Sequence, residues 1–445
     1  MPELKNIKHI IRLAFPIILA NASAPLLGLA DTATIGQTGH AAELGAISLA
    51  GLVFSFVYWG FGFLRMGTTG FIAQAQGRAD RSEVLAVLFR SVILGLGIGV
   101  LLVLLQYFIG NLALWLLSAS EEVKSLVADY FYIRIYGAPA TLITYSILGG
   151  LIGLGYTRQL MYVQFLLNGL NIALNVLFVV GLDMGVKGIA LGTLIAEWVA
   201  LFYGAYILAK KLELEQPIYQ LKKLWQQIID KAKVIGMFKV NGDIMIRTFA
   251  LLGGFAWFAN EGAKFGDSIL AANHVLLQFV SISAFFLDGF ANVVEMYAGK
   301  AIGLGDRDLF NQRIKETTWV SGVSASLLGL LIIIFAPTAV SLLTQDTDVQ
   351  IIAQDHAVYA GVYIILSFVA FQLDGVFIGA TRSKEMRNAT IVSLLILIGI
   401  GTLTTRYYGN IGLWIAFISF VIVRGVGLGY YLPKITKRLF WKTEG

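Results

Sequence analysis

Long apolar stretches alternate with short polar joints along almost the whole chain. Each stretch holds roughly 18 to 28 mostly apolar residues, which is enough for an α-helix to cross ~30 Å of hydrocarbon. A membrane β-barrel would instead show short segments of alternating polarity. The pattern therefore predicts an all-α membrane protein with twelve transmembrane helices, placed at residues 10–36, 46–74, 86–117, 123–150, 160–182, 188–210, 234–260, 268–298, 316–344, 351–379, 387–406 and 411–433.

Composition supports this prediction and removes several function classes. Of the 445 residues, 57% are hydrophobic and 13% are charged, which is too apolar for a soluble domain. The net charge of +6 would suggest nucleic acid in a soluble protein, but here Lys and Arg concentrate in alternate joints and so indicate membrane orientation. We expect a multi-pass protein of the inner (plasma) membrane, with both termini in the cytoplasm and no nucleic-acid partner.

The chain offers little material for cofactor chemistry. It has no cysteine and only four scattered histidines, so thiolate catalysis and a zinc centre are not expected. It also lacks the Walker A pattern of ATP-hydrolysing proteins. We therefore predict no cofactor and no resident metal.

The first apolar stretch has an alternative interpretation as a cleaved signal peptide. Ala20, Asn21 and Ala22 resemble a small-residue cleavage site after a basic start. The apolar run continues beyond that point to Ile35, and the internal repeat needs this segment. We therefore favour a retained first span.

One long polar connection divides the spans six and six. It is the stretch KKLELEQPIYQLKKLWQQIIDKAK, from Lys210 to Lys233. We expect an amino-terminal lobe at residues 1–212 and a carboxy-terminal lobe at 234–445, joined by a cytoplasmic linker at 213–233.

Three short matches recur in the same order in both halves. AQAQGRAD matches GKAIGLGD at an offset of 226, GLIGLGYTR matches GVFIGATR at 224, and Asn21 matches Asn241 at 220. Because six spans return the chain to the same side, the predicted repeat is parallel, with its axis along the membrane normal. Two six-helix bundles with a cleft between them follow, and secondary transporters bind substrate near such a repeat interface.

Asp31 is the most informative residue inside a span. An intramembrane acid is a functional hypothesis by default, and burial away from a cation favours the uncharged form, so Asp31 is the candidate proton carrier. Asn168, Asn171 and Asn175 recur at i, i+3 and i+7 on one face of the fifth span, where amides can coordinate an ion or hold a carboxyl group. The alternatives are a carboxylate satisfied by hydroxyls or an arginine, and an amide stripe that only joins helices.

The fourth and sixth spans add further polar candidates. Tyr130 and Arg134 lie in the fourth span, and Thr193 stands four residues before Glu197 in the sixth. Tyr and Thr supply oxygens, while Arg134 is a candidate counter-ion for Glu197 or Asp31. Glu197 is equally compatible with a proton role and a structural ion pair.

The second half carries its own acids. Asp243 and Arg247 stand at i, i+4, which predicts a pair that neutralises itself within one helix. Three other acids have no such local partner, and Arg424 on the last span is a candidate counter-ion for them. They are Asp288, Glu295 and Asp374. For these three acids, a role in proton transfer and a role in helix packing are equally compatible with the sequence.

Five stretches together resemble the multidrug and toxic compound extrusion (MATE) family, in its DinF-like branch. They are LADTATIGQTG, YFYIRIYGAPA, LNIALNVLFVVGLDMGVKGIALGT, DGFANVVEMYAGKAIG and FQLDGVFIGATR, and the resemblance spans essentially the whole chain. It implies a V-shaped pair of six-helix lobes, inward-open and outward-open states, and export of organic compounds in exchange for H⁺ or Na⁺.

The resemblance also implies an ion site in the amino-terminal lobe. The family's first-helix aspartate, fourth-helix tyrosine, fifth-helix asparagine and sixth-helix threonine correspond to Asp31, Tyr130, Asn171 and Thr193. The proline at which the first helix bends in the family's mechanism corresponds to Pro16. Where several relatives have Asn-x-x-x-Asp on the fifth helix, this chain has Asn175 instead of the second acid. One carboxylate compensates Na⁺ less well than two, which favours H⁺ here.

We therefore predict a secondary antiporter, not an enzyme, that exports amphiphilic or cationic organic compounds in exchange for H⁺, with Na⁺ less favoured. Its expected partners are small organic substrates and the lipid bilayer, and we expect a monomer. Two alternatives stay open. One is a lipid or lipid-linked-sugar flippase, for which Arg65 and Arg134 are the supporting residues. The other is a lipid-modifying membrane enzyme, which would need clustered His, Cys or acids at a membrane face.

Overall fold

The computed structural model describes residues 3–36, 41–117, 119–214 and 217–441, and in these ranges the protein consists of helices joined by short turns. A 3₁₀ turn joins α6 to α7, and a π-helical turn follows α8. The helices are α1 (Leu4–Gly36), α2 (Ala41–Trp59), α3 (Phe63–Gly77), α4 (Arg81–Leu104), α5 (Gln106–Leu116), α6 (Glu121–Arg134), α7 (Ala138–Gly153), α8 (Thr157–Val176), α9 (Gly185–Lys211), α10 (Pro217–Lys223), α11 (Trp225–Ile228), α12 (Lys231–Ala263), α13 (Asp267–Leu304), α14 (Arg307–Leu343), α15 (Thr347–Gly379) and α16 (Ser383–Phe440).

Each predicted span coincides with one helix or with consecutive helical pieces. Within the described ranges, ten helical segments are long and apolar enough to cross a membrane. The last of them, α16, is interrupted at Gly409, where φ is 54°, so its two parts cover the last two predicted spans. The seventh predicted span is α12, which has 33 residues and is not among those ten.

The chain folds as two compact units. The amino unit comprises Leu19–Ile72 and Asp80–Met237, and the carboxy unit comprises Met1–Ile18, Ala73–Ala79 and Phe238–Gly445. Two short segments of the first half therefore pack with the second half, which the predicted lobe boundaries did not include. The six-and-six division of the spans stays a prediction.

The start of α1 belongs to the carboxy unit because its apolar side chains are buried there. The amide of Asn6 adds a polar contact, donating from Nδ2 to Glu316 Oε1 at 2.7 Å. The buried apolar residues of this cluster are Ile10, Ala14, Ile17, Ile18, Phe290, Val293 and Val320.

Helix boundaries recur at one constant spacing. The starts of α4 and α14, of α6 and α15, and of α8 and α16 are each 226 positions apart: Arg81 and Arg307, Glu121 and Thr347, Thr157 and Ser383. This register supports the predicted repeat and agrees with the first sequence match. The other two matches, at offsets of 224 and 220, lie outside it. At an offset of 226, Gly155 corresponds to Thr381, and both residues have a positive φ, of 82° and 53°. The sequence match had instead aligned Gly155 with Gly379, whose φ is not positive.

The two copies of the first motif touch each other within the carboxy unit. Gly77 and Gly303 approach so closely that a Cβ on either would overlap the main chain of the other segment. Glycine is needed at both positions because no side chain fits between the two backbones. After each glycine the motif's aspartate caps the next helix: Asp80 accepts from the Glu83 amide at 2.9 Å, and Asp306 accepts from the Leu309 amide at 2.8 Å.

The predicted linker, 213–233, is docked onto the amino unit. Residues 215 and 216 lie outside the described ranges. In the remainder, Leu224 and Ile228 are buried against Leu85 and Ala86 of α4. Their spacing of four residues places them on one face of a helical turn, which the overall polarity of the stretch obscures.

Candidate functional site

Asp31 lies in a buried polar network of the amino unit. Its Oδ1 accepts a hydrogen bond from Asn175 Nδ2 at 2.7 Å, which joins α1 to α8. The same Nδ2 donates to Asn171 Oδ1 at 2.6 Å, so both of its N–H bonds are used. In the part of the chain that the structure describes, no cationic side chain lies within ion-pair distance of Asp31.

The network continues from α8 to α9. Asn171 Nδ2 donates to Thr193 Oγ1 at 3.1 Å, and Thr193 Oγ1 donates to the Ile189 carbonyl at 2.9 Å. Asn171, Asn175 and Thr193 are each less than 5% exposed. Four sequence-predicted residues are thus brought together in one series of hydrogen bonds, which runs from Asp31 through Asn175 and Asn171 to Thr193.

Asn168 occupies the other end of the predicted amide stripe. Its Nδ2 donates to Ser23 Oγ at 2.5 Å, so it also contacts α1. Ser23 lies two helical turns before Asp31, and Asn168 lies two turns before Asn175. Asn168 therefore holds α8 against α1 without reaching the carboxylate.

Tyr130, Arg134 and Glu197 form a second cluster in the same unit. Arg134 Nη1 donates to the Tyr130 hydroxyl at 2.9 Å, and Arg134 Nη2 lies 3.6 Å from Glu197 Oε1. Of the two acids considered as partners of Arg134, Glu197 is the one within ion-pair distance. Among the described residues, the hydroxyl of Tyr130 is engaged by Arg134 and not by Asp31.

Two aromatic residues that the sequence analysis did not single out complete this cluster. The guanidinium of Arg134 lies 4.5 Å from the centre of the Phe54 ring and 5.9 Å from that of Tyr58. Phe54 and Tyr58 are four residues apart on α2, and this spacing is the sequence feature that could have indicated that they act together. Aromatic pairs at this spacing are common in apolar helices, so the signal could not distinguish a site from a core.

The acids of the carboxy unit are paired differently from the prediction. Asp374 Oδ2 contacts Arg247 and lies 3.9 Å from Arg424 Nη2, which places the candidate partner Arg424 beside one of the three acids. The predicted Asp243 and Arg247 pair is wrong. Asp243 instead accepts from Arg387 Nη1 at 2.5 Å, because tertiary partners on α15 and α16 outcompete the local helical spacing.

The other two acids singled out in the carboxy unit are Asp288 and Glu295. Glu295 is 3% exposed, and the charge of Asp288 interacts with Arg424. Within the described ranges, no three His, Asp or Glu side chains converge as a metal site. The carboxy unit thus presents a cluster in which two arginines share one aspartate.

Pro16 lies in an unbroken helix. α1 is helical from Leu4 to Gly36, and the boundary between the two compact units falls two residues after Pro16, between Ile18 and Leu19. The bending role of Pro16 stays a prediction.

Comparison with known proteins agrees with the resemblance read from the sequence. The MatE family model matches residues 16–177 and 258–403. DNA damage-inducible protein F of Escherichia coli (strain K12) is 35% identical over 422 residues, 95% of this chain and 91% of that protein. Multidrug resistance protein NorM of Vibrio cholerae is 23% identical over 454 residues, 98% of this chain and 96% of that protein.

The fold is shared with solved structures. The crystal structure of the Vibrio cholerae MATE transporter VcmN in the bent form matches with a TM-score of 0.88, at 19% identity, over 97% of both chains. At that identity the match speaks for the fold alone. The family model and the 35% identical relative carry the assignment: the chain belongs to the MATE family of multidrug and toxic compound efflux transporters.

Proposed function

We propose that this protein is a secondary antiporter that exports amphiphilic or cationic organic compounds in exchange for protons, and that Asp31 carries the proton. The observation that carries the proposal is the hydrogen bond from Asn175 Nδ2 to Asp31 Oδ1 at 2.7 Å, in a network of amides and a hydroxyl. An amide donates to an ionised carboxylate and accepts from a protonated one, so Asn175 suits both states of Asp31.

The same contact supports H⁺ over Na⁺ as the coupling ion. Asn175 presents its N–H groups toward Asp31 and Asn171, and donors do not coordinate a cation, while its oxygen Oδ1 lies beside Gly192 with no hydrogen-bond partner among the described residues. Na⁺ would need several oxygens and enough negative charge to offset the loss of its water shell. A proton needs only one oxygen of Asp31.

The carboxy unit adds to this argument. Asp374 already contacts Arg247 and Arg424, so its negative charge is compensated without an added cation. We therefore place coupling in the amino unit.

Protonation drives transport only if the two access states bind the proton with different affinity. In our proposal, protonation from outside removes the charge of Asp31, weakens its bond to Asn175 and favours a bent α1, which expels substrate. Deprotonation on the inside restores the bond. Pro16, like Pro25, cannot donate a main-chain hydrogen bond within α1, and in our proposal the helix bends at Pro16.

Transport of a panel of organic cations by the purified protein in liposomes distinguishes H⁺ coupling from Na⁺ coupling. With an imposed pH gradient and no Na⁺, we expect substrate movement against its gradient. With an imposed Na⁺ gradient at equal pH, we expect the rate of protein-free liposomes. Transport driven by Na⁺ alone would overturn the choice of ion.

Gly192→Ala should uncouple transport while leaving the protein folded. A Cβ at Gly192 would overlap the Oδ1 atom of Asn175, so the amide must shift away from its present position. Overpacking of this kind costs ~1–3 kcal/mol, which a large membrane protein tolerates. We expect a several-fold loss of pH-driven efflux and a small drop in melting temperature.

Gly169→Ala on α8 is the matched control, because a Cβ there meets nothing within 4 Å. It should transport like the wild type. Equal activity of the two variants would show that the position of Asn175 does not matter.

A further inference from the structure

The linker that follows α9 packs against the side of α4, which is a helix of spanning length. Leu224 and Ile228 of the linker are 6% and 2% exposed. They share one apolar cluster with Leu85 and Ala86 of α4, and Phe89 borders this cluster. Because an α-helix rises about 1.5 Å per residue, the contact lies roughly 6 to 12 Å along α4 from its first residue. The linker is therefore placed beside α4 and not beyond its end.

The face of α4 that the linker covers continues as an exposed apolar stripe. Ile93, Leu96 and Val100 follow Phe89 at helical spacing, on the same face. They are 43%, 44% and 43% exposed. Aliphatic side chains that are exposed on a spanning helix contact the hydrocarbon of the bilayer. The linker thus covers the beginning of a face that is otherwise open to lipid.

Charged groups in the first turns of α4 fix the linker at this level. Arg90 Nη2 donates to Glu83 Oε1 at 2.9 Å, and Lys233 contacts the other oxygen of the same carboxylate. Arg90 Nη2 also lies 3.4 Å from the Gln227 carbonyl, to which it donates. Charged side chains are costly in the hydrocarbon core, so these turns lie at its edge. The linker docked on them lies at the depth of the lipid headgroups.

The outer face of the linker combines apolar and cationic side chains. Tyr219, Trp225 and Ile229 are 59%, 48% and 52% exposed. Lys222 and Lys223 are also exposed and precede Trp225 by three and two residues. Within the described ranges, neither lysine lies within ion-pair distance of an acid. These five side chains form the outer face of the linker, which carries two unpaired positive charges.

We propose that the outer face of the linker binds the headgroups of anionic phospholipids, with Trp225 and Ile229 at the boundary with the acyl chains. Tryptophan is favoured at this depth because its ring is apolar and its N–H is polar. Lys222 and Lys223 place ammonium groups beside the lipid phosphates while their aliphatic stems stay on apolar surface. This site is independent of the coupling ion and of Asp31.

A single label on the linker tests whether lipid covers this face. The chain has no cysteine, so Gln226→Cys gives one labelling site, at an exposed position next to Trp225. The full-length protein would carry a fluorophore there, in nanodiscs that contain a phospholipid with a spin-labelled headgroup. We expect strong quenching of the fluorophore. An unquenched label would place this face in water, open to a soluble partner, and would overturn the proposal.

Substitution of both lysines tests the preference for anionic lipid. The labelled protein in detergent would be titrated with short-chain phosphatidylglycerol or with phosphatidylcholine of the same chain length. We expect tighter binding of phosphatidylglycerol, and a weaker preference at raised salt. A lysine near an anionic lipid surface contributes about five-fold in affinity, so K222Q with K223Q should bind phosphatidylglycerol about 25-fold more weakly. Its binding of phosphatidylcholine should not change.

Two further variants separate charge from apolar contact. Lys187→Gln is the matched control, because it removes the same charge near the start of α9, roughly 36 Å along that helix from Lys211. It should bind both lipids like the wild type. Trp225→Ser should weaken the binding of both lipids to the same extent, since it removes apolar surface and no charge.

The two lipids and the lysine variants together decide the proposal. Equal binding of phosphatidylglycerol and phosphatidylcholine by the unsubstituted linker would overturn it. An unchanged preference in K222Q with K223Q, or an equal loss of preference in Lys187→Gln, would also overturn it.

Discussion

Asp31→Asn is expected to reduce pH-driven efflux to the rate of protein-free liposomes. Asparagine has the shape of aspartate and can accept from Asn175, so the helix contact survives. It cannot release or take up a proton in the working range, so the two access states no longer differ in proton affinity. Substrate binding to the purified protein, followed by tryptophan fluorescence, should persist within a few-fold of the wild type.

Asp129→Asn is the matched control for this change. Asp129 belongs to the same unit, but its side chain is 41% exposed and pairs with Lys187 at the surface. Exposed pairs contribute little, so this variant should transport normally. Full pH-driven efflux by Asp31→Asn would rule out Asp31 as the proton carrier.

Asn175→Asp should change the ion dependence of transport. It replaces the amide that now lies 2.7 Å from Asp31 with a second carboxylate, and two carboxylates at this distance cannot both stay ionised without a cation. We expect half-maximal efflux to move upward by about 1 pH unit or more, and Na⁺ to become able to drive transport. Efflux measured in parallel under separate pH and Na⁺ gradients detects both effects.

Asn168→Asp supplies a control at the other end of the same amide stripe. Asn168 contacts Ser23 and not Asp31, so an acid there should leave the ion dependence as it is. If Asn175→Asp loses transport and does not respond to Na⁺ at any pH, the added negative charge alone does not explain the effect of the substitution. That result would point to geometry at position 175 as the deciding factor.

The helices and much of the amino-unit site could be predicted from the sequence because both depend on local pattern. Apolar stretches of spanning length set the helices, and the i, i+3, i+7 spacing set the amide face of α8. Asp31 stood out as a lone acid in an apolar span, and the family resemblance grouped it with Asn171 and Thr193 in one site. The structure places these residues in one hydrogen-bonded network.

The remaining contacts depend on tertiary packing that local spacing does not encode. Asp243 and Arg247 have good helical spacing, yet each pairs with a residue of a distant helix, Arg387 and Asp374. The aromatic cage of Arg134 joins α2 to α6, and nothing in Phe54 or Tyr58 distinguished them from other aromatic residues in the spans.

Only part of the internal repeat could be recognised from the sequence. Helix starts keep an offset of 226, whereas two of the three sequence matches had offsets of 224 and 220. Backbone conformation is the better guide, since a left-handed residue ends the helix in both halves while its identity changes from Gly155 to Thr381.

Proton movement driven by substrate tests most directly whether Asp31 carries the coupling proton. Liposomes free of Na⁺ would carry the protein, a trapped pH dye and no imposed pH gradient, and an organic cation would be added outside. We expect a substrate-dependent pH change inside for the wild type and none for Asp31→Asn. Substrate uptake without any pH change in the wild type would contradict this expectation.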